Sequence, residues 1–171
     1  MLYFNGFCLR GEEELFKDIV DDHDYSVVGF SYGAIKAFEY TLKTDKRVDT
    51  LTLLSPAFFQ NKSEKYIRTQ LLHFKKDKER YIKNFMQNIS YPCQEDLSKY
   101  LYPQTSSELK ELLSYVWSKD KLETIISKNI QLNIHIGEKD KIVDTKDIYD
   151  FFKPYATIYY YKNKGHTLCK L

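Results

Sequence analysis

The pentapeptide Gly29-Phe30-Ser31-Tyr32-Gly33 constrains the fold of this chain more than any other feature. It follows Tyr25-Ser26-Val27-Val28 and precedes Ala34-Ile35-Lys36-Ala37-Phe38-Glu39-Tyr40. A short β-branched run predicts a strand, and the residues after Gly33 predict a helix, so Ser31 falls on the sharp turn between them. Such a turn crowds the backbone on both sides of the serine. Glycines two residues before and after let strand and helix pass closely. The serine is then presented at the C-terminal edge of a sheet, at the start of a helix whose partial positive charge favours a developing anion. Three fixed positions alone are a weak signal; the strand before and the helix after make the pattern specific.

A serine becomes a nucleophile only with a base beside it and a carboxylate to orient that base. Around a strand–serine–helix turn of this kind, the acid is expected after a late strand and the histidine after the last one. Gln131-Leu132-Asn133-Ile134-His135-Ile136-Gly137 reads as a strand, with Glu138-Lys139-Asp140 at its end. Ala156-Thr157-Ile158-Tyr159-Tyr160-Tyr161 reads as the final strand, followed by Lys162-Asn163-Lys164-Gly165-His166. Asp140 and His166 are therefore the expected partners of Ser31. Of the four histidines, His23 lies in a charged loop, His73 in a basic helical stretch and His135 inside a strand. Asp144 is the alternative acid, but it also stands where it would cap a helix over Thr145–Phe152. Glu138 still lies on the strand edge.

Attack on a carbonyl creates an oxyanion that needs preorganised donors. The backbone N–H of Tyr32, next after the nucleophile, is one. The other is expected from the loop after an early strand. The chain opens Met1-Leu2-Tyr3-Phe4-Asn5-Gly6-Phe7, a strand running into Asn-Gly, and the Phe7 N–H is the natural second donor. The competing reading of that segment is a tight Asn-Gly turn with no further role.

A length of 171 residues fits one domain. Net charge is +2, so no global field points to nucleic acid or a membrane surface, and no nucleic-acid-binding motif is present. Cys8, Cys93 and Cys169 are scattered and odd in number, with no Cys-x-x-Cys, so neither a metal site nor a disulfide framework is expected. Cys8 lies near the oxyanion loop, but nothing positions a base for it. No apolar run reaches spanning length and no leader pattern is visible, which predicts a soluble cytoplasmic protein without cofactors.

Strand and helix patterns alternate through the first 57 residues and again from residue 127, which predicts a parallel sheet of about five strands with helices on both faces. An early helix is expected over Glu12–Val20. Residues 1–57 and 127–171 form the expected core, and 58–126, helical in pattern, a cap inserted above Ser31. The cap opens with eight basic residues against three acidic ones between Lys62 and Lys83. This is either a solvated helix face or a site for an acidic partner. Apolar residues recur at helical spacing (Leu71, Leu72, Phe74, Tyr81, Ile82, Phe85 and Met86, then Leu109, Leu112, Leu113, Val116, Trp117 and Leu122), as core or as the wall of a slot.

Taken together, the strand with Asn-Gly-Phe, the block from Gly29 through Tyr40, Leu53-Leu54-Ser55-Pro56, Ile136-Gly137-Glu138-Lys139-Asp140-Lys141-Ile142 and Gly165-His166 resemble the α/β-hydrolase superfamily over nearly the whole chain. More narrowly, the chain is similar to the short BioV-type pimeloyl-acyl-carrier-protein methyl ester esterases of Helicobacter and relatives. The resemblance implies a minimal α/β-hydrolase. It would hydrolyse the terminal methyl ester of pimeloyl-acyl-carrier-protein methyl ester to the free acid and methanol, in biotin synthesis, with Ser31, Asp140 and His166 as catalytic residues. It also implies an acidic carrier protein as partner, with Arg68, Lys75, Lys76, Arg80 and Lys83 as docking candidates. The chain departs from larger relatives in starting at the oxyanion strand, in skipping a strand before the serine strand, and in having Asn5-Gly6 where they often have His-Gly. A thioesterase or a broad small-ester hydrolase keeps the same site with another substrate. A catalytically inactive binding module keeps only the fold.

Overall fold

The structure, a computed structural model, describes residues 1–169. Five strands form one sheet: β1 (Leu2–Phe4), β2 (Ser26–Phe30), β3 (Thr50–Leu54), β4 (Gln131–Gly137) and β5 (Thr157–Tyr161). They lie in chain order, and every neighbouring pair is parallel. β1 pairs directly with β2, with Phe4 opposite Gly29, so the ends of these two strands meet where the serine turn begins.

Helix α1 (Tyr32–Lys43) follows β2, and α2 (Glu64–Lys76), α3 (Lys78–Ser90), α4 (Ser106–Ser114) and α5 (Lys119–Ser127) separate β3 from β4; α6 (Thr145–Phe152) joins β4 to β5. Their boundaries follow local chemistry. Ser63 accepts from the Tyr66 N–H to cap α2, and Asp77 caps α3 by accepting from the Arg80 N–H. Thr105 and Glu108 form a reciprocal capping box on α4. Asp144 caps α6 through the N–H groups of Lys146 and Asp147. α2 packs on α3 and α4, whereas α5 lies on α1 and β4.

The two faces of the sheet are covered unequally. Val27, Leu51, Leu53, Ile134 and Ile136 alternate toward one face and pack with Phe38, Trp117, Ile125, Ile148 and Phe152 from α1, α5, α6 and the segment before α5. Val28, Phe30 and Leu54 point the other way, against Leu9, Phe16, Ile89, Leu97 and Tyr100. Strands that step one place at a time with crossovers of one hand put all their helices on one face. The β1–β2 connection is the exception: it carries Phe16 onto Phe30 on the second face, with ring centroids 4.9 Å apart. It therefore has the opposite hand to the α1 crossover.

That connection is also shorter than its sequence suggests. The helix expected over Glu12–Val20 is a five-residue 3-10 turn, Glu12–Phe16. Gly11 enters it at φ 77°, and the N–H groups of Ile19 and Val20 both close back onto the Phe16 carbonyl, which seats Phe16 and ends the turn.

A second expectation fails. Cys93 and Cys169 form a disulfide across 76 residues of sequence. Their spacing carries no hint of it, because the segment after α3 and the segment after β5 are brought together only by the fold. Cys8 is the free cysteine among the described residues and is buried.

Candidate active site

Ser31 stands between β2 and α1 with φ 53° and ψ −111°, a conformation an L-residue adopts only when its surroundings impose it. Its N–H donates to the Leu54 carbonyl at 2.9 Å, and its own carbonyl accepts from Ala34 and Ala57 at 3.1 Å each. A Cβ on Gly29 would collide with the Gly33 carbonyl, and one on Gly33 with the Phe4 carbonyl. Both glycines are thus required by the close approach of strand, turn and helix that exposes the serine hydroxyl toward the histidine.

Ser31 Oγ lies 2.9 Å from His166 Nε2, and His166 Nδ1 lies 2.6 Å from Asp140 Oδ2. The side chains of His166 and Asp140 are both wholly buried. The other Asp140 oxygen accepts the N–H groups of Ile142 at 2.7 Å and Val143 at 3.1 Å, which fixes the carboxylate plane. With that carboxylate at Nδ1, the imidazole proton belongs on Nδ1 and the Nε2 lone pair faces the serine. Asp144 does not reach the histidine; it caps α6. Of the remaining histidines, His23 contacts Thr50, His135 is buried against Tyr159 and Tyr161, and His73 stands at the cavity wall. Burial pushes the Cys8 thiol up to about 12, which leaves no thiolate to compete with Ser31.

Ser31 and Phe7 line a cavity of about 260 Å³, near the lower end for small-molecule sites. Its apolar wall includes Phe59, Phe85 and Leu109; Gln70, Asn84 and Asn88 add polar groups. The walls thus come from α2, α3 and α4, the helices expected above Ser31. Tyr32, next after the serine, donates its hydroxyl to Glu111 on α4 at 2.8 Å, tying the turn to those helices. Of the basic residues singled out on α2 and α3, Arg68 is paired with Glu64 at 3.1 Å. Lys75, Lys76, Arg80 and Lys83 are exposed. Lys83 borders a second, larger groove of about 1020 Å³, which meets the first cavity at Asn88 and Lys141.

Two site residues have no counterpart in the sequence reading. Ser55, at φ 41° and fully buried at the end of β3, donates its hydroxyl to the backbone carbonyl of His166 at 2.7 Å. A serine closing a buried strand just before Pro56 was the available signal. Glu12 accepts from the Gly6 N–H at 2.6 Å, next to Phe7. Nothing local marks it, because it stands as the first of three consecutive acids at the start of an expected helix.

No protein-family model and no curated protein sequence matches the chain. Solved structures do match, at low identity. An esterase from Exiguobacterium antarcticum is 16% identical with TM-score 0.62, over 81% of this chain and 58% of that one. MenH from S. aureus is 13% identical with TM-score 0.60, over 97% of this chain and 85% of that one. BioG from Haemophilus influenzae is 14% identical with TM-score 0.61, over 97% and 87%. With five parallel strands and the serine turn after the second, the chain has the α/β-hydrolase fold in a minimal form. It spans little more than half the length of the Exiguobacterium esterase.

Proposed function

We propose that the chain is a serine carboxylesterase that removes the methyl ester from the far end of a pimeloyl chain held on an acyl carrier protein. The observation that carries the esterase reading is the hydrogen-bonded series Ser31–His166–Asp140 at the wall of a cavity. Ser31 Oγ attacks the ester carbonyl while His166 Nε2 takes its proton, and Asp140 holds the imidazolium. The tetrahedral oxyanion accepts from the N–H groups of Tyr32 and Phe7. As the intermediate collapses, His166 returns the proton to the departing methoxide, and methanol leaves an acyl-Ser31. Water, deprotonated by His166, attacks the acyl carbon, and the serine leaves with the proton, releasing the acid.

Three further features support the substrate. The cavity is lined by both apolar and amide side chains, as a chain ending in an ester requires. It meets a larger groove of about 1020 Å³ at Asn88 and Lys141, through which a carrier-linked arm would enter. The exposed basic residues of α2 and α3 complement an acidic carrier. Core 1–57 with 127–171 and cap 58–126 remain the working division within this reading. Among the described residues no cluster of His, Cys, Asp and Glu could hold a metal, and no helix is long and apolar enough to cross a membrane. A cytoplasmic location belongs to the same proposal.

The test is mass spectrometry of pimeloyl-acyl-carrier-protein methyl ester incubated with the pure protein and with Ser31→Ala. Conversion of methyl ester to acid with the carrier still acylated, absent in the variant, is expected. Release of the whole acyl group would make the protein a thioesterase. No conversion, with Ser31 still labelled by a fluorophosphonate, would assign it to other esters.

A further inference from the structure

Glu12 is wholly buried, although the carboxylates beside it in sequence are exposed. Its Oε1 accepts the Gly6 N–H at 2.6 Å and lies 3.3 Å from the Tyr3 hydroxyl. Its Oε2 is buried without a hydrogen-bond partner. A half-satisfied carboxyl in an interior is costly, and an apolar side chain of similar size would be buried there at less expense. What the carboxyl supplies is a fixed anchor for the Gly6 amide.

The position of that anchor matters because, in the mechanism proposed above, the next peptide supplies the Phe7 N–H to the oxyanion. In a planar trans peptide, the Gly6 carbonyl and the Phe7 N–H point in opposite directions. The Gly6 carbonyl accepts from the Leu9 N–H at 3.3 Å, and the Gly6 N–H is held by Glu12. The Gly6–Phe7 plane is therefore pinned from both sides of Gly6, and with it the direction of the Phe7 N–H. Asn5 closes the same loop, accepting the Gly11 N–H at 2.9 Å and bringing the chain back to Glu12. The Phe7 side chain lines the cavity that holds Ser31.

We propose that Glu12 is a positioning residue for catalysis: from beneath the Asn5–Phe7 loop it sets the orientation of the Phe7 N–H toward the tetrahedral oxyanion. The proposal rests on the serine-esterase reading and deepens it. Glu12 touches neither substrate nor Ser31. Its contribution is felt only once charge develops on the carbonyl oxygen.

The experiment compares the wild type with Glu12→Leu, Glu12→Gln and Glu12→Asp, all as the full chain. It uses a short p-nitrophenyl ester and a trifluoromethyl ketone that forms a charged tetrahedral adduct with Ser31. Loss of one oxyanion donor costs roughly 10²–10³-fold in kcat. Glu12→Leu is expected to lower kcat by about that range, leave KM within about threefold, and weaken the ketone in parallel with kcat. Glu12→Gln keeps an oxygen for the Gly6 N–H and should retain most of the activity. Glu12→Asp draws the acceptor back by one methylene and should behave like Glu12→Leu; it also provides the answer if the leucine variant does not fold. Unchanged kcat and ketone affinity in a folded Leu or Asp variant would overturn the role of Glu12 while leaving the esterase reading intact. Absence of Ser31-dependent hydrolysis in the wild type would overturn both.

Discussion

At the scale of single residues, the site depends on atoms that chain separation hides. Ser31 and His166 meet across 135 residues, and Asp140 reaches His166 across 26. Asp140 serves two sets of partners, His166 through one oxygen and the Ile142 and Val143 amides through the other. Asp140→Asn leaves only one oxygen, so the amide either abandons the loop or turns its NH₂ toward His166 Nδ1. The latter puts the imidazole proton on Nε2, where it cannot accept from serine. Activity on a short ester is expected to fall by about 10³–10⁴-fold with little change in melting temperature. Retention of more than a tenth of the activity would remove Asp140 from the series.

His135 makes a different residue-scale prediction. Stacked on Tyr159 at 4.4 Å and bonded to the Tyr161 hydroxyl at 3.0 Å, it is held well below the ordinary imidazole range, at about 4, by burial and then by the nearby Lys164 ammonium. The unfolded chain binds this proton near pH 6.5 and the folded chain does not until about pH 4. The stability tied to neutral His135 is therefore present above pH 6.5 and lost as pH falls toward 4. Between pH 7 and 4.5 the wild type should lose about 2 kcal/mol that a folded His135→Phe variant keeps. Urea midpoints at the two pH values measure it, and equal losses in both proteins would refute it.

At the scale of elements, much of the chain was legible from its own pattern. The β-branched and apolar runs marked the strands, β1 included. The Asp144 cap and the apolar spacing placed α6 over Thr145–Phe152, the range observed. Where the reading erred, packing had overruled local preference. The helix expected after Gly11 shrinks to one 3-10 turn because the Ile19 and Val20 N–H groups close onto the Phe16 carbonyl once Phe16 is seated on Phe30. The burial of Glu12 has no local signal because it depends on β1 and on a loop closed by Asn5, neither of which leaves a mark at position 12. The apolar spacing on α3 could not say which residues form a wall. Tyr81 and Phe85 face the Ser31 cavity, while Ile82 and Met86 face the larger groove. The basic faces of α2 and α3 are an element-scale matter too. Reversing Lys75, Lys76 and Arg80 together to glutamate should raise KM for the carrier-bound ester about tenfold or more at low salt, and leave a small ester unaffected. Arg68→Glu should matter less, since its guanidinium is already neutralised by Glu64. Equal losses on both substrates would mean the helices were disrupted rather than a docking surface removed.

At the scale of the whole molecule, the Cys93–Cys169 bond joins the segment after α3 to the segment that carries His166, three residues away. Cysteines 76 apart gave no sequence signal, and only the finished sheet brings them together. Such a crosslink restricts the unfolded chain, worth about 4.5 kcal/mol by loop entropy for a separation of 76 residues. Yet the cytoplasm assumed by the proposed function keeps thiols reduced. The two demands are compatible if His166 is held without the disulfide, and the contacts around it say that it is. Ser55 grips its carbonyl, Asp140 grips its ring, and the Lys139 N–H binds the Lys164 carbonyl at 2.9 Å. Gly165 is packed so closely on the Tyr91 carbonyl that no side chain would fit between them. Reduction, or Cys93→Ser with Cys169→Ser, should therefore lower the melting temperature by about 10 °C and leave kcat within about threefold at 25 °C. Ser55→Ala, which removes the grip on the His166 backbone itself, should lower kcat more than the double cysteine variant does. The opposite ranking would make the disulfide the element that holds His166 in place, and the proposed activity would then need an oxidising compartment.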